Sequence, residues 1–202
     1  RSLIRHYILR DSCRRGLTTI TLLDIGAGGG DIARWTVIAA RRFGIGAHVI
    51  CLDKDPRIAA FARHATADIP EITVVCDSTD NLATIAATHG PIDYIFANHF
   101  LHHLSTVDIA ELLPRLSALA RCGYLLNDLR RARLSWLGYT LLATLLFRNS
   151  FARTDGAISI RRGFTPAELR NVLPSVGSVT QSQPGRVISR IPGRLALVWI
   201  RK

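Results

Sequence analysis

The chain has 202 residues, 48% of them apolar, and a formal net charge of +11. Length and apolar content exclude a disordered or low-complexity protein and fit one domain with a sizeable core. Only Lys54 and Lys202 are lysine, so the basicity has two readings: an anionic partner, or the arginine and alanine bias that GC-rich coding leaves on a solvated surface. Cys13, Cys51, Cys76 and Cys122 form no C-x-x-C pair, and the last three fall in or beside predicted strands, where cysteine acts as a small apolar residue. A zinc site or disulfide framework is therefore not expected, and a reducing cytoplasm fits. No stretch reads as a secretory signal.

Taken in order, 2–16 reads as a short basic helix. Thr18–Ile25 is β-branched and apolar, a buried strand. The turn Gly26-Ala27-Gly28-Gly29-Gly30 follows, and helical spacing resumes from Asp31 to Arg42. Strand, glycine turn and helix let a ligand approach backbone N–H groups at a helix start. A dinucleotide fingerprint, G-x-G-x-x-G from Gly26, would need its last glycine at Asp31, so it fails. Ala47–Asp53 is the second strand. Pro56 opens the next helix with Asp55 as its cap, which leaves Asp53 to accept hydrogen bonds from ribose hydroxyls. A helix over Arg57–Thr66, a strand over Ile72–Cys76 ending in Asp77-Ser78, and a helix over Asn81–Thr88 with Asp80 as an alternative cap come next.

Pro91–Asn98 is the fourth strand, running into His99-Phe100-Leu101-His102-His103-Leu104. Adjacent histidines point in different directions, and no cysteine or carboxylate lies near in sequence, so a metal cluster is not expected. A general base is the better use of His99 or His103, since imidazole titrates near neutrality; packing beside a cofactor is the alternative. Val107–Ala120 is amphipathic, and Gly123–Leu129 is the fifth strand, with Asp128 expected at the site's rim. The apolar run Leu134–Phe147 is shorter than the roughly 20 residues of a spanning helix. It reads as a buried helix, a lid over an apolar substrate or an interfacial helix. Arginines crowd residues 130–170, where Asp155 and Glu168 are the only acids. Thr165, Pro166 and Glu168 form a capping box that starts a helix. Ser178–Ser182 and Leu195–Ile200 read as two final strands, joined by a loop holding Pro184 and Gly185.

Asp24, Gly26, Gly28 and Gly30 match D-x-G-x-G-x-G position by position. With Asp53, the segment Asn98–Leu104 and "F-T-P-A-E-L" from Phe164, the chain resembles the class I S-adenosylmethionine (SAM) methyltransferases, in particular small-molecule quinone- and phenol-type O-methyltransferases. The resemblance implies an α/β fold: a seven-stranded Rossmann-like sheet, last strand antiparallel, helices on both faces. It implies one domain over 1–202, with an N-terminal helix (1–17) and a substrate or lid insertion (130–163). It implies SAM as cofactor and S-adenosylhomocysteine (SAH) as product. The implied cofactor-binding set is Asp24, Gly26, Ala27, Gly28, Gly30, Asp53, Lys54, Asp77, Ser78 and Asn98. In it the glycine turn takes the methionine end, Asp53 the ribose, and Asp77 the adenine amino group with the next N–H on the ring. The catalytic candidates are His99 and His103. The acceptor is expected to be small, lipophilic or aromatic, methylated on a phenolic or quinol hydroxyl, with peripheral membrane contact through 134–147. RNA methylation is the alternative; the charge favours it and the missing [N/D]-P-P-[Y/F] motif opposes it. A SAM-binding protein without catalysis is the other alternative.

Overall fold

The computed structural model describes residues 1–132, 161–173, 185–190 and 193–202. At the N-terminus Ser2–Ile4, Arg5–Leu9 and Arg10–Arg14 continue one another as helix α1, whose middle section is π-helical. Leu3, Ile4, Ile8 and Leu9 are its buried face. Three strand-then-helix units follow: β1 (Thr19–Ile25) and α2 (Asp31–Arg41), β2 (Gly46–Asp53) and α3 (Pro56–Ala65), β3 (Ile72–Cys76) and α4 (Leu82–His89). Then come β4 (Tyr94–Asn98), α5 (Thr106–Leu119), β5 (Gly123–Leu129), α6 (Pro166–Val172), β6 (Arg186–Arg190) and β7 (Arg194–Ile200).

All seven strands form one sheet in the order β3-β2-β1-β4-β5-β7-β6. The pairings from β3 through β5 are parallel, and β7 lies antiparallel between β5 and β6. This is the Rossmann-like architecture expected from the sequence. Strands covered on both faces read as continuous apolar runs, because neither face meets water. Leu23 and Ile25 of β1 pack into one cluster with Leu113 and Leu126; Ile20 and Leu22 pack into the other with Ile8, Val37 and Leu125. Because the first five strands are parallel, their C-terminal ends lie along one edge, where ligands bind in open α/β sheets.

Local chemistry sets the boundaries. Asp55 accepts from the Arg57 N–H and Pro56 occupies the first turn of α3. Ser105 with Asp108, and Thr165 with Glu168, close capping boxes at α5 and α6. Ser78, rather than Asp80, caps the short turn Thr79–Asn81 ahead of α4. The C-terminal hairpin also differs from the sequence reading. The partner of β7 is Arg186–Arg190, downstream of Gly185, and Gly193, with φ of +59°, leads into β7. A left-handed residue is what a tight hairpin turn requires, and period-2 patterning alone does not show which glycine supplies it. The predicted strand Ser178–Ser182 and the apolar run Leu134–Phe147 lie outside the described residues. Among the described residues, no helix is long and apolar enough to cross a membrane.

Candidate active site

The glycine turn provides clearance. Gly26, Gly28 and Gly30 all have left-handed φ, +66°, +56° and +77°. A Cβ on Gly26 would stand 3.0 Å from the Phe100 ring, and one on Gly30 would stand 2.8 Å from the Thr66 methyl. A Cβ on Gly28 would meet nothing within 4 Å, so this position borders open space. Four of the turn's backbone donors are already engaged. Gly26 and Ala27 N–H groups donate to the Leu52 carbonyl, Gly30 N–H to the Ala27 carbonyl, and Gly28 N–H to Asp53 Oδ2 at 3.1 Å. Three of these bonds, to Leu52 and Asp53, tie the turn to β2.

Asp53 is half-buried at the end of β2. Its Oδ1 accepts from the Asp55 N–H at 3.0 Å, which leaves each carboxylate oxygen a lone pair for a further donor. Lys54 beside it is exposed. Asp77, at the end of β3, accepts at Oδ1 from the Ser78 N–H and the Asn81 side-chain amide, both at 2.7 Å. Ser78 is occupied in turn by Asp80. Asp24 is only 2% exposed, and its Oδ2 has no hydrogen-bond partner. Burial, reinforced by the charges of Asp31 and Asp53, raises its pKa well above the carboxylate range. Asp24 is therefore a buried carboxyl whose charged form is disfavoured beside the turn.

At the end of β4 the three histidines part company. His99 has φ of +60°, the one left-handed non-glycine among the described residues. Its N–H donates to the Asn127 carbonyl at 2.9 Å and its Nε2 contacts the Arg194 guanidinium. Burial, then the Arg194 charge, lowers its pKa. His103 is exposed; its pKa is also lowered, by partial burial and then by His102. His102 is the buried one. Its ring Nδ1 lies 2.8 Å from Asp128 Oδ1 and its N–H donates to Asp128 Oδ2 at 2.9 Å. Burial opposes ionisation of Asp128, but the hydrogen bond and charge of His102, with backbone donors, hold its pKa low. Asp128 is 1% exposed and so does not stand at the rim, as the sequence suggested. The missed signal was alternation along β5: Tyr124, Leu126 and Asp128 share one face of the sheet, and the first two are core.

The other face of β5 opens on a cavity of about 350 Å³. Its apolar floor is Phe96, Leu125, Ile32 and the Leu3–Ile4 end of α1, and its polar lining includes Asn98, Asn127, Arg190 and Arg194. Asn127 Nδ2 donates to Asn98 Oδ1 at 2.6 Å, so the two amides face the cavity as a pair. Asn98 is the one sequence-predicted site residue in this lining. His99 reaches the cavity's edge through Arg194. Asp53 and Asp77 lie farther along the same strand-end edge, beyond the glycine turn, and His103 stands outside it. Among the described residues no group of His, Cys, Asp and Glu is arranged to hold a metal.

Residues 22–123, from the middle of β1 to the start of β5, match the family model described as a methyltransferase domain. The chain belongs to this family. Solved structures agree on the fold. The plantazolicin methyltransferase BamL, in complex with a triazolic desmethylPZN analog and SAH, superposes with a TM-score of 0.72 at 16% identity, over 98% of this chain and 83% of that one. A SAM-dependent methyltransferase from Aquifex aeolicus gives 0.60 at 14% identity over 100% and 93%. The magnesium protoporphyrin IX methyltransferase of Synechocystis PCC 6803 with bound SAH gives 0.59 at 16% identity over 96% and 80%. No curated protein matches the chain.

Proposed function

We propose that this methyltransferase moves a methyl group from SAM to a small, largely apolar acceptor, on a phenolic or quinol hydroxyl. The observation that carries the reading is the order of groups along one sheet edge: Asp77, Asp53, the glycine turn, then the cavity at the ends of β4 and β5. An elongated ligand with a nucleoside at one end and a reactive centre at the other fits that order. SAM supplies an electrophilic methyl on a sulfonium. Toward it Asp53 offers two acceptor oxygens for ribose hydroxyls, Asp77 a carboxylate beside the adenine, and Gly28 the open space for the methionine end. The orphaned Asp24 oxygen lies beneath the turn and accepts from a donor there.

For the acceptor, the apolar floor of Phe96, Leu125 and Ile32 excludes water and takes a ring or chain. Alignment of nucleophile and methyl group supplies much of the rate in such a transfer. His99 takes the hydroxyl proton at Nε2 once the acceptor has drawn the Arg194 guanidinium away from that nitrogen. Burial, then the Arg194 charge, favours the neutral imidazole that a base requires.

The test is to incubate the protein with methyl-labelled SAM and an extract of cells lacking it, then partition the label between organic solvent and RNA. Label in the organic phase is the expected result. Label in RNA overturns the acceptor class. Binding of SAH without any transfer supports a role in binding alone. With the labelled acceptor as substrate, His99→Gln should lower kcat by about 10² or more while SAH binding stays intact.

A further inference from the structure

Arg190 and Arg194 are the last Cα-paired residues of the β6–β7 hairpin. Directly opposed residues on an antiparallel pair point to the same face, so two guanidinium groups stand side by side over the cavity they both line. Like charges placed opposite each other on neighbouring strands are unfavourable. Among the described residues, neither arginine has a carboxylate within salt-bridge distance, although other arginines do: Arg34 with Asp68, Arg41 with Glu71, Arg131 with Glu168. Arg194 also bonds His99 Nε2, an imidazole whose protonation is disfavoured by burial and then by the Arg194 charge, so it is not a counter-ion. The Asn127–Asn98 amide pair supplies polar groups on the same wall. Arg1 lines the cavity too, with Asp31 as its ion-pair partner, so two guanidiniums without a carboxylate partner, two amides and an apolar floor form a binding site for an aromatic or aliphatic anion.

We infer that the methyl acceptor carries a carboxylate, held by Arg190 and Arg194, with its apolar body against Phe96 and Leu125. The inference rests on the proposed use of the cavity as the acceptor site. Guanidinium and carboxylate meet as two parallel charge-assisted hydrogen bonds. Such a clamp fixes the orientation of the acceptor, and it places the acceptor's hydroxyl toward the end of β4, where His99 stands. The anion also screens Arg194 from His99, so the histidine becomes a stronger base when the acceptor is bound than when the cavity is empty.

The experiment is calorimetric titration of the SAH-loaded protein with the three hydroxybenzoate isomers and with their methyl esters. At least one acid should bind about tenfold or more tightly than its ester. The double variant Arg190→Gln/Arg194→Gln should erase that preference while its own SAH affinity and melting temperature stay at the wild-type values. Arg190→Lys/Arg194→Lys should restore part of it, because charge returns without the planar fork. Equal binding of acid and ester, or no saturable binding of any acid at millimolar concentration, overturns the inference and leaves the methyltransferase reading standing. Loss of SAH affinity in the Gln variant also overturns it, because the arginines would then hold the carboxylate of the cofactor itself. Failure of the wild-type protein to bind SAH overturns both.

Discussion

At the scale of single residues, chemistry at the end of β4 is divided between two histidines. His102 and Asp128 are buried and bonded twice, through ring and backbone, so the pair ties the turn after β4 to the end of β5. Removing one partner of such a pair leaves a buried group uncompensated, at about 3 kcal/mol. Asp128→Ala should therefore lower the unfolding free energy measured by urea titration by that amount, whereas His103→Ala, on the exposed neighbour, should leave it unchanged. The sign of the pH dependence follows from the lowered Asp128 pKa. Its contribution to stability is complete above the ordinary carboxylate pKa and is lost as pH falls through the depressed value. His99 behaves differently. Its folded pKa lies below its ordinary value, so the unfolded chain takes up the proton first, and stability declines as pH drops below the ordinary histidine pKa. For catalysis the same shift is useful. The acid limb of the kcat/KM profile, which reports the free enzyme, should fall below the ordinary histidine pKa, and that limb should disappear in His99→Gln.

At the scale of elements, the glycine turn between β1 and α2 carries two separable requirements. Gly30 combines φ of +77° with a Thr66 methyl 2.8 Å from where its Cβ would stand. Gly30→Ala thus meets backbone strain and a clash together and should cost about 2 kcal/mol or more of folding stability. Gly28 has φ of +56° and open space. Gly28→Ala should cost only about 1 kcal/mol in a urea titration, yet weaken SAH binding sharply, because the methyl occupies the space left for the ligand. A stability loss in Gly28→Ala equal to that in Gly30→Ala, with SAH affinity retained, would remove Gly28 from the cofactor site. The capping box of α6 offers a control far from the turn. Thr165→Ala should cost about 1 kcal/mol without altering SAH affinity, since the Thr165 hydroxyl bonds only the Glu168 N–H at the helix end.

At the scale of the whole molecule, seven strands share one sheet and both faces carry a core, so the ligand-binding edge is continuous with the parts that hold the fold together. A cofactor that binds only the folded chain then stabilises the whole of it by mass action. At SAH about 100-fold above its Kd, the gain is about 2.7 kcal/mol, a rise in melting temperature of roughly 5–10 °C for a chain of this size. Adenosine alone, lacking the methionine end, should bind more weakly and shift the melt less at equal concentration. An equal shift would place the binding energy entirely at Asp53 and Asp77 and none at the turn.

What the sequence determined by itself was local and periodic. Apolar runs marked the buried parallel strands, because burial on both faces leaves no polar alternation. Caps such as Asp55-Pro56 and Thr165-Pro166-Ala167-Glu168 marked helix starts, because orphan N–H groups need near partners. The motif Asp24–Gly30 marked the family. What only the tertiary structure decided was set by contacts distant in the chain. Alternation along β5 puts Asp128 on the core face with Tyr124 and Leu126, but its partner there, His102, comes from the turn after β4. The glycines of the turn look alike in sequence, but Phe100, Thr66 and open space give each a different duty. Arg190 and Arg194 read as two more arginines in a basic chain, and only the register of the last hairpin brings both guanidiniums over one cavity.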